Sequence, residues 1–206
     1  MIDERKLVVV SGPSGCGKDT VVGCLMKMRE DIFLSVSCTT RQRRANETDG
    51  VHYYFISRGE FQRRIEANRM LEYTEYAGNL YGTPLDELEQ KLTGDHTVVL
   101  IIEVEGAKNV KRMFPGSMCV FIVPPSLEVL EQRLRLRCTE SEEVIRTRLR
   151  IAEQELSQLD FYDVSIVNDV AEVCAAELSK AIDTWQNKQP EKGDENRCSN
   201  QQSQNS

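Results

Sequence analysis

Val8-Val9-Val10-Ser11-Gly12-Pro13-Ser14-Gly15-Cys16-Gly17-Lys18-Asp19-Thr20 is the stretch whose reading decides the fold. A short apolar run ends in a glycine-rich turn, and Val21, Val22, Leu25 and Met26 then recur on one side of a helix. In the order strand, turn, helix, Gly12 followed by four residues and Gly17-Lys18 has the spacing of a phosphate-binding loop. Glycines let the backbone curl so that successive N–H groups face one concavity and cradle phosphate oxygens. The helix adds the positive end of its dipole, and Lys18 adds a full charge for β- and γ-phosphates. Asp19 stands where Ser or Thr ordinarily ligates magnesium, and Thr20 follows it.

A chain of 206 residues, 40% apolar and 29% charged, is long enough for one domain with a real core. The net charge of −7 disfavours non-specific nucleic-acid binding, so an anionic ligand must be held by local basic clusters. No apolar run approaches the roughly 18 residues of a membrane span, and Asp3 and Glu4 spoil a signal-peptide pattern. Seven cysteines are scattered without a C-x-x-C pair, mostly in apolar segments. They are expected to be reduced, which fits the cytoplasm.

Beyond the first helix, residues 33–38 alternate and predict a second strand. Thr39-Thr40-Arg41-Gln42-Arg43-Arg44 follows, dense in cations and hydroxyls. In an acidic chain that binds one phosphate already, guanidinium forks here suit a second phosphate group. Asp49-Gly50 is a turn signal before the aromatic strand Val51-His52-Tyr53-Tyr54-Phe55, in which Tyr53 and Tyr54 point to opposite faces. Residues 61–67 read as a helix and 70–76 as a half-buried strand. Gly78-Asn79 reads as a hairpin turn into Leu80-Tyr81-Gly82-Thr83-Pro84. These signals break the rhythm of strand and crossover helix, so residues 39–86 read as a small, mostly antiparallel insertion. A helix over 85–92 leads back to the main sheet.

Residues 97–102 and 118–123 are continuous apolar runs, hence buried parallel strands. The first ends in Glu103-Val104-Glu105-Gly106, placing a carboxylate at the ligand crevice of an open α/β sheet. Pro124-Pro125 stops the second, and 127–134 is helical. Arg133, Arg135, Arg137, Arg146, Arg148 and Arg150 then crowd one segment around Cys138-Thr139-Glu140-Ser141. Thr139 or Ser141 reads as a helix cap. Two arginine-bearing helices around a short connection suit a lid over transferring phosphates, with pairs to Glu131, Glu142 and Glu153 accounting for some of the cations. Residues 163–167 form the last strand, Asn168-Asp169 follow it, and a helix over 170–185 ends at Trp185. The polar tail 187–206 is expected to be disordered.

In this order the segments resemble a guanylate kinase of the P-loop nucleoside monophosphate kinase group, nearly end to end. The resemblance rests on Gly12–Lys18, on the run from Ser35 to Arg44, on Asp49–Phe55, Leu71-Glu72, Gly78–Thr83, Glu103–Ala107, and on Arg133 through Ser141 with Arg148-Leu149. It implies an α/β fold: a P-loop NTPase-type parallel sheet flanked by helices, with a mixed or antiparallel acceptor-binding insertion and a helical lid. The core is expected over about 1–38, 87–132 and 151–186, the insertion over 39–86 and the lid over 133–150.

The resemblance also implies the reaction ATP + GMP = ADP + GDP with Mg²⁺, in purine nucleotide metabolism. Residues Gly12, Pro13, Ser14, Gly15, Cys16, Gly17, Lys18, Asp19 and Thr20 would hold ATP, with Asn168 near its adenine. Arg41, Arg44, Tyr53 and Tyr81 would bind the phosphate of GMP, while Ser37, Glu72, Gly82, Thr83 and Glu103 would line or read guanine. Lys18, Arg41, Arg133, Arg137 and Arg148 would act on the transferring phosphoryl group. Asp19 and Thr20 would meet magnesium mostly through water. The implied partners are small molecules alone, with no nucleic acid and no membrane, for a monomer or small homo-oligomer.

Residue chemistry supports the base assignment separately. Guanine presents two adjacent donors, N1–H and the 2-amino group, which a carboxylate such as Glu72 can accept together; Thr83 or Ser37 can donate to O6. Adenine would turn an acceptor toward the carboxylate, and sites built on a partnered polar edge reject such a mismatch strongly. The rivals are a kinase for another phosphorylated acceptor, against which Glu72 and Thr83 argue, and a non-catalytic protein-binding domain, against which Lys18 and the lid arginines argue. Asp19, Arg43, Asn46, Ile101, Glu105 and Cys138 depart from the family pattern. The two histidines, His52 and His96, are expected to be structural.

Overall fold

The computed structural model describes residues 3–76, 78–136 and 141–188. Five parallel strands form the main sheet: β1 (Leu7–Ser11), β2 (Ile32–Leu34), β7 (Thr97–Ile101), β8 (Met118–Val123) and β9 (Val164–Val167), in the order β2-β7-β1-β8-β9. Its three inner strands are the continuous apolar runs, as burial on both faces requires. All five residues of β1 are buried. Alternation along it feeds two cores. Val8 and Val10 pack with Leu25 of α1 (Lys18–Met28), Leu130 of α5 (Leu127–Leu136) and Leu178 of α7 (Ala171–Asn187). Leu7 and Val9 pack with Leu88 of α3 (Leu85–Leu92) and with Ala107 and Val110 of α4 (Val104–Met113).

The insertion is a second, mixed sheet in the order β4-β3-β6-β5, formed by β3 (Cys38–Thr39), β4 (Tyr54–Phe55), β5 (Met70–Tyr76) and β6 (Asn79–Pro84). β3 pairs parallel with β4 and antiparallel with β6, and β5 pairs antiparallel with β6. Its small core is Cys38, Leu80 and Phe61, the last from α2 (Arg58–Glu66).

Several expectations change. The aromatic strand expected over 51–55 shortens to Tyr54–Phe55, with Val51 60% exposed in the turn before it, and the helix expected from 61 already starts at Arg58, capped by Ser57. The run 33–38 is not one strand: β2 ends at Leu34, and by Ser37 the backbone already accepts a hydrogen bond from Tyr54 N (2.9 Å) in the second sheet. One alternating pattern thus serves two sheets. Met26 does not join Val21, Val22 and Leu25 in the core but is 42% exposed. The hairpin turns one residue early, because Tyr76 pairs with Asn79 and Gly78 takes φ +77°. The last helix continues past Trp185 to Asn187. Ser141 caps α6 (Glu142–Leu156), its hydroxyl accepting from Val144 N. Arg137 and Cys138 lie outside the described residues, as does the tail from 189. Among the described residues, no helix is long and apolar enough to cross a membrane.

With so few buried residues, the insertion core depends on Phe61. Phe61→Ala is expected to cost about 3–5 kcal/mol, read as an earlier urea midpoint; a loss under about 1 kcal/mol would show that the second sheet is held otherwise.

Candidate active site

The phosphate loop leaves the C-terminal end of β1, between β7 and β8, where ligands bind in open α/β sheets. Gly12 takes φ +146°, and a Cβ there would stand 2.3 Å from the Ile122 carbonyl oxygen. Gly17 caps α1 in the left-handed region at φ +95°, with Asn168 Nδ2 2.5 Å from where its Cβ would be. Lys18 is buried, and its Nζ donates to the carbonyls of Gly12 (2.5 Å) and Pro13 (3.3 Å). Burial opposes its charge, yet the surrounding groups, Cys16 and the carboxylates of Glu103, Asp19 and Glu155, raise its pKa overall. Burial holds Cys16 itself as a thiol, so the carboxylates carry that effect.

A cavity of about 370 Å³ runs from this loop to the second sheet. Ser14, Gly15, Gly17, Lys18 and Asp19 line it on the loop side, Ser37, Arg41, Arg44, Tyr53, Glu72, Tyr81 and Gly82 on the side of the second sheet, and Glu103, whose charge acts on both Lys18 and Glu72, lines it too. Arg148 of α6 also lines it and donates to Ser14 Oγ, tying that helix to the loop. The tyrosines split as expected: Tyr53 faces the cavity while Tyr54 packs on the insertion core. Arg41 makes a two-pronged pair with Glu47 (3.0 and 2.7 Å), and its guanidinium lies 5.6 Å from the ring centres of both Tyr53 and Phe55. Glu47 also accepts from Arg44 N at 2.8 Å. No sequence signal singled out Glu47; its spacing from Arg41 becomes meaningful only once the loop is folded.

Glu72 is 5% exposed and accepts from the Thr83 hydroxyl at 2.8 Å. Burial pushes its pKa up to about 7, with the Thr83 hydrogen bonds pulling the other way and Glu103 adding to the rise. Glu155, on α6, is also pushed up to about 7 by burial and by Glu103, against the pull of Lys18. The Glu103 Oε2 atom is buried, with no hydrogen-bond partner among the described residues.

Several expected site residues sit elsewhere. Thr83 is fully buried behind Glu72 and does not line the cavity. Asn168 is buried, and its side-chain amide donates to the Cys16 carbonyl at 2.7 Å. Arg133 donates to the carbonyls of Asn168 (2.9 Å) and Cys16 (3.3 Å). Both therefore brace the loop from behind. Gly12, Pro13, Cys16 and Thr20 are outside the lining as well. Arg135 pairs with Glu131 (2.8 Å) and Glu142 (3.0 Å), as a surface cation. Of the departures, Ile101 lines the cavity, Arg43 donates to the Glu47 carbonyl (2.8 Å) and Glu105 pairs with Lys108 (2.7 Å). His52 lines the cavity, which a purely structural role did not anticipate, and its Nδ1 accepts from Thr48 N at 3.0 Å; His96 is outside the lining, its ring 6.5 Å from that of Phe33.

Comparison with known proteins agrees with this geometry. The guanylate kinase family model matches residues 4–185. A guanylate kinase of Desulfitobacterium hafniense is 46% identical over 176 residues, 85% of this chain and 88% of that protein. One of Prochlorococcus marinus is 42% identical over 184 residues, 89% of this chain and all of that protein, 100%. The crystal structure of guanylate kinase from Anaplasma phagocytophilum aligns with a TM-score of 0.74 at 34% identity, covering 88% of this chain and 86% of that one.

Asn168→Ala removes the shorter of the two side-chain hydrogen bonds to the Cys16 carbonyl, leaving the Arg133 contact at 3.3 Å, and is expected to cost about 0.5–1.5 kcal/mol of stability. Chemical denaturation measures this; a variant as stable as the parent would show that Asn168 does not brace the loop.

Proposed function

The chain belongs to the guanylate kinase family, and from that premise we propose that it transfers the γ-phosphoryl group of ATP to GMP, giving ADP and GDP, in cytoplasmic purine nucleotide metabolism. It is a nucleoside monophosphate kinase. The observation that carries the reading is one cavity with Lys18 and its loop at one end and Glu72 at the other. Cysteines scattered along the chain without a C-x-x-C pair suit a reducing compartment.

In the proposed reaction an ionised oxygen of the GMP phosphate attacks the γ-phosphorus, and the bond to the β–γ bridging oxygen breaks. A phosphate monoester has a second pKa of about 6, so no protein base is needed near neutral pH. The protein's part is positioning and charge neutralisation. Lys18 holds the donor phosphates. Arg41, Arg44, Tyr53 and Tyr81 hold the acceptor phosphate. Arg148 meets the transferring group from α6, while Arg133, in its present contacts, steadies the loop. Closure of the lid over the cavity keeps water from the γ-phosphate. Glu72 accepts from guanine N1–H and the 2-amino group, with Ser37 and Glu103 lining the same cavity.

The donor set also fits magnesium. Asp19 offers an exposed carboxylate at the cavity, whereas among the described residues no three ligating side chains cluster. Mg²⁺ ordinarily keeps several waters and takes one or two carboxylates plus phosphates. Asp19 would hold it, mostly through water, with Thr20 beside it; bound with ATP, the ion would neutralise phosphate charge.

ATP consumption measured with GMP, AMP, UMP, CMP and ribose phosphates in turn is expected to show turnover with GMP above all. Turnover with another acceptor but not GMP would sink the specificity, and none with any acceptor, in folded protein, would sink the activity.

Glu72 must be ionised to accept both guanine donors, and its pKa lies at about 7. As pH falls below 7, GMP binding has to displace a proton, so the KM for GMP should rise, approaching roughly tenfold per pH unit. Glu72→Gln separates this from titration of the GMP phosphate, since only the latter remains in the variant. A parent KM that is flat from pH 8 to pH 6 would rule out Glu72 as the reader.

A further inference from the structure

The two oxygens of the Glu72 carboxylate are each governed by a neighbour outside the cavity lining. Thr83 donates to Oε1 at 2.8 Å. On the other side, buried Gly106 of α4 faces Oε2: a Cβ at Gly106 would lie 2.6 Å from Oε2 and 3.3 Å from Cδ. The backbone of Gly106 does not need glycine, since it is not among the described positive-φ positions. Within a helix glycine is disfavoured relative to alanine. What the missing side chain provides is room for one carboxylate oxygen.

We propose that Gly106 is a specificity-determining position that acts through Glu72, a proposal that rests on the guanylate kinase reading. With Oε1 fixed by Thr83 and Oε2 free to lie against the bare turn of α4, the carboxylate presents both oxygens to the paired donors of guanine. A methyl at 106 meets the far end of a flexible side chain, so the fold relieves the contact by turning the carboxylate. That turn moves the recognising oxygens. The penalty falls on guanine recognition rather than on folding.

The test compares the parent, Gly106→Ala, Glu72→Ala and the double variant, with kcat and KM for GMP and for IMP, which lacks the 2-amino group, KM for ATP, and the thermal midpoint. Gly106→Ala is expected to raise the KM for GMP about tenfold or more, the scale of a hydrogen bond to a charged group, and to narrow the preference for GMP over IMP. The KM for ATP and the midpoint stay near the parent's. In the Glu72→Ala background the same change should add no further loss. An unchanged GMP-to-IMP ratio in folded Gly106→Ala, or an equal loss in both backgrounds, overturns the proposal. A Gly106→Ala variant that fails to fold overturns it as well, since the penalty then falls on the fold. Turnover of GMP by the parent tests the underlying activity separately.

Discussion

No side chain fits at Gly12, because the carbonyl of Ile122 on the neighbouring strand closes the space at 2.3 Å. This crowding is the constraint from which the site follows. The loop must turn at once as it leaves the central strand, with β8 packed hard against it. The turn brings Gly17 to the start of α1 in the left-handed region, where Asn168 stands over it. Asn168 is in turn anchored to the Cys16 carbonyl across 152 positions of sequence. A loop braced from two strands and by Arg133 needs little reorganisation to receive phosphate, and preorganised donors are what make electrostatic stabilisation effective.

Charge is the second consequence. The chain is acidic overall, and several of its acids lie near Lys18: Glu103, Asp19 and Glu155. Their field favours the charged ammonium where burial alone would lower its pKa. The converse holds at the other end of the cavity, where Glu72 meets burial without a cation as its leading partner and rises to about 7. One cavity therefore carries a firmly charged cation and a carboxylate whose charge is conditional. On the proposed reading this suits the ligands, since phosphate is always anionic at neutral pH whereas guanine offers only neutral donors.

Local patterns made the fold legible. β1, β7 and β8 are unbroken apolar runs, and α3 and β8 have the ends that periodicity and the prolines imply. The strand 33–38 misled because alternation reports a half-buried backbone, not which sheet it joins. The site was legible where chemistry is local to a motif, as in the loop around Lys18 or the arginines after Thr40. It was illegible where a side chain's partner is distant or its orientation open. Thr83 has a hydroxyl that could meet a base or Glu72, and only the register of β5 with β6 puts it across from Glu72. Gly106 sits in the first turn of a helix that the residues around it, ending a strand in carboxylates, did not announce. Glu47 lies in a loop with no period at all, and its function as the partner of Arg41 depends on how that loop closes.

These internal partners share a thermodynamic role. Arg41 is held by Glu47, Lys18 by the carbonyls of Gly12 and Pro13, Glu72 by Thr83, and Arg148 by Ser14. Each charged group thus has a hydrogen-bond partner within the chain. On the proposed reading, a substrate exchanges one partnered state for another rather than desolvating an exposed charge. The net gain per contact is then small, because hydrogen bonds are replaced rather than created. A substrate with the wrong edge draws the group from its partner and leaves it unpaired in a buried site, which is costly. Such an arrangement gives up affinity and gains discrimination. It is strongest where the partner is itself buried and fixed, as Thr83 is behind Glu72, so the guanine end should be the selective end and the phosphate loop, with its backbone carbonyls, the permissive one.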